Sequence, residues 1–545
     1  MAESVTAVKQ QLRQRLVIFT PVLAILVFLL WPLSSRRWDI VTDQPEIDRK
    51  NRTLANVSRV LYPVPRIIVI LADDLGPTDV GLYGGTNVQT PHIDSIGESG
   101  VTFTNATCTS AICAPSRVSM LTGRYQQRSG FEFQPHDQYA RSWLEFIVFR
   151  YFINTGPMVP MRPAPIPRRQ AREEQGVVAG EMLLSELLSA RGYHTAAFGK
   201  WHMGYAEDSL PLERGFDRHF GFYEAYSLYA PEDDPSIVNT PIDDFSDKHM
   251  WRQGRSGYSA IMDDKQPVDE SEYLTFKFAE LAADYIQENA GEPFFLYLPF
   301  NAPHTPLQAP QTYYDNLTEI EDPVRRTYYA MIAALDDAVG TVLKAVDDAG
   351  IADSTMIVFA SDNGGVTYLG VTDNGPFAGG KFSMFEGGLS VPLMVKYPGT
   401  IPEGTVYSEP VSLMDIFPTV ANRSGPADGE HDGVDLLPYI LDVAKGPPHD
   451  YLFWRNGYNH AARTGPWKLV TQGVGAPDTP DPIELLFNLD DDPYETTDVA
   501  ADHPGIVRDL KLKQSEWELT LEDPAWPPVM HFGMDVWGQR YWFGI

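Results

Sequence analysis

Short apolar runs rich in β-branched residues recur along most of this chain, separated by longer stretches of helical periodicity. Residues 66–72, Arg-Ile-Ile-Val-Ile-Leu-Ala, read as a strand buried on both faces. The run is too short for a core helix and lacks the polar alternation of a half-exposed strand. Residues 195–198, 294–298 and 356–360 repeat the pattern. An amphipathic helix is expected over 328–349, ahead of the last of these strands. Strands that alternate with helices predict an α/β fold around a mostly parallel sheet.

Each of these strands runs into polar residues. Asp73-Asp74 ends the first, Gly199-Lys200-Trp201-His202 the next, Asn301-Ala302-Pro303-His304 the third and Ser361-Asp362-Asn363 the last. One Asp or Asn after a strand is more simply a turn cap. In open α/β sheets, however, ligands bind outside the carboxyl ends of the strands. Four such endings predict one shared site.

The first 40 residues have another pattern. Residues 16–33 are uncharged and mostly apolar, preceded by Lys9, Arg13 and Arg15 and followed by Arg36 and Arg37. As a helix this run reaches about 27 Å, enough for a bilayer core. No Ala-x-Ala-like cleavage site comes after it. The segment predicts an uncleaved signal anchor, with a cleaved signal peptide as the alternative. The bulk of the chain is then exported, to the periplasm or the cell exterior, and tied to the membrane through this helix.

Length and charge narrow the function. A chain of 545 residues calls for about two domains. Its formal net charge of -31 argues against a nucleic-acid partner and against docking on anionic headgroups. An anionic substrate would be repelled overall, so cations in the pocket would have to overcome that field. Only Cys108 and Cys113 are present, too few for a disulfide framework. Asp73, Asp74, Asp362 and Asn363 are hard oxygen donors that suit Ca²⁺ or Mg²⁺ and not Zn²⁺.

Residues 113–124, Cys-Ala-Pro-Ser-Arg-Val-Ser-Met-Leu-Thr-Gly-Arg, carry the most specific motif. Pro115 suits a first helical turn and Gly123 a helix C-cap. Cys113 would then stand where backbone N–H groups and the helix dipole favour negative charge. Taken alone, Cys113 reads as a small buried residue before a helix.

This segment resembles the signature of type I, formylglycine-dependent sulfatases, which are arylsulfatase-like members of the alkaline phosphatase superfamily. The resemblance implies that a separate formylglycine-generating enzyme converts Cys113 to formylglycine. One oxygen of its gem-diol attacks sulfur, and a covalent intermediate results. It also implies Ca²⁺ (or Mg²⁺) on Asp73, Asp74, Asp362 and Asn363 together with residue 113. Arg117 matches the residue that holds the hydrate, and Lys200 and Lys381 match sulfate-binding lysines. His202 matches the histidine that helps expel sulfate, and His304 the acid beside the leaving oxygen. Ser227 aligns loosely with a minor substrate contact.

The resemblance spans about 65–545. It implies a catalytic domain over 65–445 and a smaller antiparallel-sheet subdomain over 446–545, where Ala461-Ala462-Arg463-Thr464-Gly465-Pro466-Trp467-Lys468-Leu469 is also family-like. The resemblance implies that the next helix is 180–191, and an insert at about 135–170 ahead of it departs from the pattern: 143–153 is aromatic and apolar, 158–167 is proline-rich, and Arg162, Arg168, Arg169 and Arg172 cluster. A lid, a pocket wall for a bulky apolar group, an oligomer contact and a membrane-surface contact all fit it. The aromatic end Tyr541-Trp542-Phe543 packs on the core or on a partner.

The expected activity is hydrolysis of sulfate monoesters of a phenol, sugar or steroid. A phosphonate monoester or phosphodiester hydrolase shares the motif and fold. An inactive, membrane-tethered sulfoglycan-binding protein is the alternative outside catalysis.

Overall fold

The computed structural model describes residues 22–30, 43–60, 63–136, 142–160, 172–473, 482–528 and 530–544. Half of the expected anchor helix 16–33, much of the arginine-rich part of the insert and the stretch 137–141 lie outside these residues. Helix is seen at 22–30, and among the described residues no helix is long and apolar enough to cross a membrane.

A ten-stranded sheet forms the centre, and its middle five strands are parallel. In spatial order these are Thr355–Ser361, Arg66–Ala72, Phe294–Pro299, His194–Lys200 and Arg218–Phe222. Leu393–Lys396 joins antiparallel beside Thr355–Ser361. The run 66–72 is buried at every position. Its side chains divide by parity, as a strand's must: Ile67, Val69 and Leu71 enter one core, Ile68, Ile70 and Ala72 the other.

Helices cover both faces. Pro91–Glu98, Leu274–Asn289 and Pro323–Asp348 bury Ile93, Phe278 and Leu335 on the second core. Cys113–Thr122, Leu184–Ala190 and Ile416–Ala421 bury Val118, Leu187 and Phe417 on the first. Two expected helices change length. The one read over 328–349 begins at Pro323, where the Asp322 carboxylate accepts from Val324 N and Arg325 N as an N-cap. The one read over 180–191 begins only at Leu184, where Glu186 accepts from Leu183 N at 2.8 Å.

The C-terminal region forms a four-stranded antiparallel sheet, Leu452–Asn456, Asn459–Thr464, Trp467–Gln472 and Ile483–Asn488, with helix Pro504–Glu518 packed on it. The insert and the aromatic C-terminus meet each other. Insert strand Met158–Pro160 pairs with Met530–Val536, which forms a hairpin with Gln539–Gly544. Tyr541 and Phe543 turn inward and Trp542 faces out, so the aromatic end is core on alternate residues. The insert helix Trp143–Phe152 leaves Leu144, Val148, Tyr151 and Phe152 exposed.

Candidate active site

Four of the five parallel strands end by delivering polar side chains to one edge. The strand 66–72 releases Asp73 and Asp74, the latter at φ 67. Lys200 is the last residue of its own strand, and His202 comes two residues later at φ 54. Left-handed backbone is uncommon outside glycine, and such residues cluster where the fold holds functional groups in place. Gly199, at φ 137, is required by close approach: a Cβ there would fall 1.9 Å from Pro299 O.

The signature folds into helix Cys113–Thr122, buried throughout, with Cys113 as its first residue. Gly123 closes it at φ 68, its N–H donating to Ser119 O at 2.8 Å. Ile112, at the N-cap, offers no capping side chain, so it does not compete for the first-turn N–H groups. Burial pushes the Cys113 thiol up to about 12, with Lys200 and Lys381 opposing. At neutral pH the unmodified side chain is therefore a thiol and a poor nucleophile.

Around Cys113 the expected residues converge. Its thiol donates to Asp74 Oδ1 at 3.9 Å. Lys200 Nζ donates to Asp73 Oδ2 at 2.5 Å, and Lys381 Nζ to Asp74 Oδ2 at 2.8 Å. Arg117 places Nε and Nη2 each 2.9 Å from Asp362 Oδ2 and donates through Nη1 to Lys200 O at 2.8 Å. Asn363 Nδ2 donates to Asp74 Oδ1 at 2.8 Å. His304 Nε2 stands 3.6 Å from Asp74 Oδ2. The hydroxyl of Ser227 is buried and donates to Ser259 O at 2.7 Å.

So many buried charges survive only by compensation. Burial alone would raise the Asp73 carboxyl, but Lys200, His304, Arg117 and Lys381 hold it below the usual range. Asp362 moves the other way, raised by burial and by Asp73 against the pull of Arg117. Burial and the neighbouring Lys200 lower both histidines, His304 to about 4 and His202 well below its usual value. His304 Nδ1 lies 2.6 Å from Thr305 O, so the neutral ring is assigned with its proton there and a lone pair on Nε2.

The carboxylates at the centre suit a hard divalent cation. Asp73 and Asp74 offer ligand atoms within 4.8 Å of one another and of Cys113 and His304, whereas Asp362 is not in this group and has its Oδ2 held by Arg117. Asp73 Oδ1 and Asn363 Oδ1 are buried and accept no hydrogen bond from the described residues. Orphaned buried oxygens of this kind are costly unless something electropositive meets them.

Some contributors were not legible as site residues. Asn374 donates through Nδ2 to Gly365 O, Gly379 O and Gly387 O, which bracket Lys381. In sequence it reads only as part of an Asp-Asn-Gly turn. Asp79 accepts from Tyr328, Tyr329 and Thr372 behind Asp74, and Tyr328 also donates to Asp74 O at 3.3 Å. No local pattern marks that network.

A family model described as Sulfatase matches residues 65–425. The chain belongs to the sulfatase family. Arylsulfatase J of Mus musculus is 29% identical over 537 residues, spanning 88% of this chain and 80% of that protein. N-acetylgalactosamine-6-sulfatase of Homo sapiens is 31% identical over 69% of this chain and 66% of its own. Steryl-sulfatase of Mus musculus is 30% identical over 73% and 69%. Among solved structures, Ps i-CgsB in complex with a neocarrahexaose superposes with a TM-score of 0.69 at 30% identity, over 85% of this chain and 95% of that one. This sulfatase therefore hydrolyses sulfate esters on an alkaline-phosphatase-like fold.

Proposed function

We propose that this sulfatase acts through formylglycine at position 113, with Ca²⁺ held by Asp73, Asp74, Asp362, Asn363 and residue 113. One observation carries the reading: three buried cations and four oxygen donors converge on a single cysteine at the start of a buried helix. When bound, the cation supplies charge that polarises a sulfate oxygen, and the formylglycine hydrate supplies the attacking oxygen.

The chain's own residues do the rest. Lys200 and Lys381 meet the anionic oxygens of the sulfate, drawing it in against the field of an acidic protein. Arg117, fixed by Asp362 and Lys200 O, orients the side chain of residue 113. His304 protonates the leaving oxygen through Nε2. The resting ring is neutral, and the incoming anion raises its proton affinity. His202 is buried, with both ring nitrogens unpartnered among the described residues, and on this reading helps expel the sulfate. Export, anchoring through residues 16–33 and a domain boundary near Lys445 rest on sequence pattern alone.

Turnover of p-nitrophenyl sulfate, compared with that of a phosphodiester carrying the same leaving group, tests the reading. Sulfate is expected to be preferred, and a faster phosphodiester would reassign the site to phosphoryl chemistry. His304→Ala is expected to lower kcat by about 10²–10⁴ on an alkyl sulfate, whose leaving oxygen needs a proton. The loss should be smaller on p-nitrophenyl sulfate, which leaves as a stable phenolate.

A further inference from the structure

Asn374 lies in the loop that leads to Lys381, at φ 55, and is fully buried. Its chain neighbours Asp373 and Gly375 are both exposed, so the turn drives one polar side chain inward. Left-handed backbone is tolerated by Asn and by few other residues besides glycine. The Asn374 amide Nδ2 donates to Gly365 O at 3.1 Å, Gly379 O at 3.3 Å and Gly387 O at 2.8 Å. These acceptors assign the orientation of the amide, since a flip would set Oδ1 against three carbonyl oxygens.

The three carbonyls belong to different parts of the catalytic edge. Gly365 comes soon after Asp362 and Asn363, Gly379 stands two residues before Lys381, and Gly387 lies in the short helix headed by Glu386. Gly365 O also accepts from Lys381 N at 3.0 Å, and Gly364 N donates to Gly388 O at 3.0 Å. The segment after Asp73 and Asp74 closes on the same amide. A Cβ on Gly76 would fall 2.5 Å from Asn374 Oδ1, and one on Gly365 would fall 2.4 Å from it. Neither glycine has a positive φ, so close approach and not backbone freedom requires them.

Behind the amide, the loop is fastened to helix Pro323–Asp348. Asn374 N donates to Thr372 Oγ1 at 3.2 Å, and the Thr372 hydroxyl donates to Asp79 Oδ1 at 2.9 Å. Asp79 also accepts from Tyr328 at 2.9 Å and Tyr329 at 3.1 Å, both on that helix. Three buried carbonyl dipoles aimed at one point repel one another, and the amide N–H groups compensate them. None of the Asn374 hydrogen bonds among the described residues reaches a catalytic side chain.

We propose that Asn374 is a positioning residue for sulfate-ester cleavage: by clamping the backbone on either side, it sets the Lys381 ammonium relative to the oxygens of Asp362 and Asn363. The proposal rests on the sulfate-binding role given to Lys381 above.

Inorganic sulfate, as an inhibitor of p-nitrophenyl sulfate turnover, is the first probe. Asn374→Gly keeps the left-handed backbone accessible and removes the clamp. It is expected to raise both Ki for sulfate and KM by about tenfold, the scale of one misplaced hydrogen bond to a charged group. Val342→Ala opens a small cavity in the core beneath helix Pro323–Asp348, and should lower Tm while leaving Ki and KM unchanged. Calorimetric titration with Ca²⁺ needs no turnover, and Asn374→Gly should weaken binding of the ion through the Asp362–Asn363 loop. Unchanged Ki and KM in folded Asn374→Gly, an unchanged Ca²⁺ affinity, or an equal rise of Ki in Val342→Ala would overturn the positioning role. If Asn374→Gly does not fold, Thr372→Val decides, because it removes only the hydroxyl between Asn374 N and Asp79. A rise in Ki of about threefold, the scale of one weakened neutral hydrogen bond, then supports the clamp, and an unchanged Ki overturns it. A wild type that neither turns over p-nitrophenyl sulfate nor binds sulfate would count against the catalytic reading instead.

Discussion

Lys468 Nζ lies 2.6 Å from Glu386 Oε1 in a fully buried ion pair that fastens the C-terminal sheet to the loop carrying Lys381. Glu495 joins them, 2.8 Å from the same ammonium, and its other oxygen accepts from Glu386 N at 2.6 Å. One lysine thus serves two buried carboxylates.

Removing the shared cation leaves both acids unpaired in the interior. Lys468→Met is expected to cost about 3–5 kcal/mol of stability, the scale for breaking a buried pair. Denaturant unfolding measures it. Because Glu386 heads the short helix that begins soon after Lys381, kcat for a sulfate ester should fall as well, although Lys468 is remote from the chemistry.

The same triad predicts a pH dependence. Burial would raise both carboxyls; Lys468 overcomes it at Glu386, held at about 2, while Glu495 is pushed up to about 7. An acid whose folded value is raised contributes stability that is complete below its unfolded value, near 4.5, and is lost as pH climbs through 7. Glu386, with a lowered value, loses its contribution only as pH falls from 4.5 toward 2. Across neutral pH the wild type should therefore lose stability as this buried pair gives up its proton. Glu495→Gln should lack that loss, so the stability gap between the two proteins should shift in the variant's favour across this range. Parallel pH–stability curves would show that the pair does not hold a proton.

Chelation should be visible without any assay of turnover. Dialysis against EGTA is expected to lower Tm by a few degrees, and added Ca²⁺ to restore it, as a ligand at a hundredfold excess over Kd contributes about 2.7 kcal/mol. Asp362→Ala should remove the response to Ca²⁺. A Ca²⁺-dependent Tm retained in that variant would place the ion elsewhere.

Position 113 decides the nucleophile. The peptide carrying Cys113, from protein purified out of its native host, is expected to show the mass of an aldehyde in place of a thiol. Cys113→Ser should abolish turnover while stability stays within about 0.5–1 kcal/mol, the cost of a near-isosteric change at a buried site. An unmodified thiol in active protein would end the formylglycine reading.

Much of the site could be read from the chain because its residues sit at the ends of strongly patterned strands. Asp73, Asp74, Lys200, His304, Asp362 and Asn363 come after apolar runs, and Cys113 and Arg117 lie in one contiguous motif. The strands lie within one or two residues of those runs. Helix starts are displaced further, since they depend on caps such as Asp322 and Glu186 that compete with periodicity.

The sequence by itself determined a parallel α/β core, the edge at which polar residues gather and the identity of the reactive motif. Those arise from local periodicity and contiguous residues, which need no knowledge of distant partners. Only the tertiary structure decided that Lys468 answers Glu386 across 82 positions, that Asn374 ties three carbonyls around Lys381, and that Met158–Pro160 completes a sheet with the C-terminal hairpin. Each is a pairing between segments that local pattern does not connect. Burial makes such pairings strong, but nothing in either segment names the other.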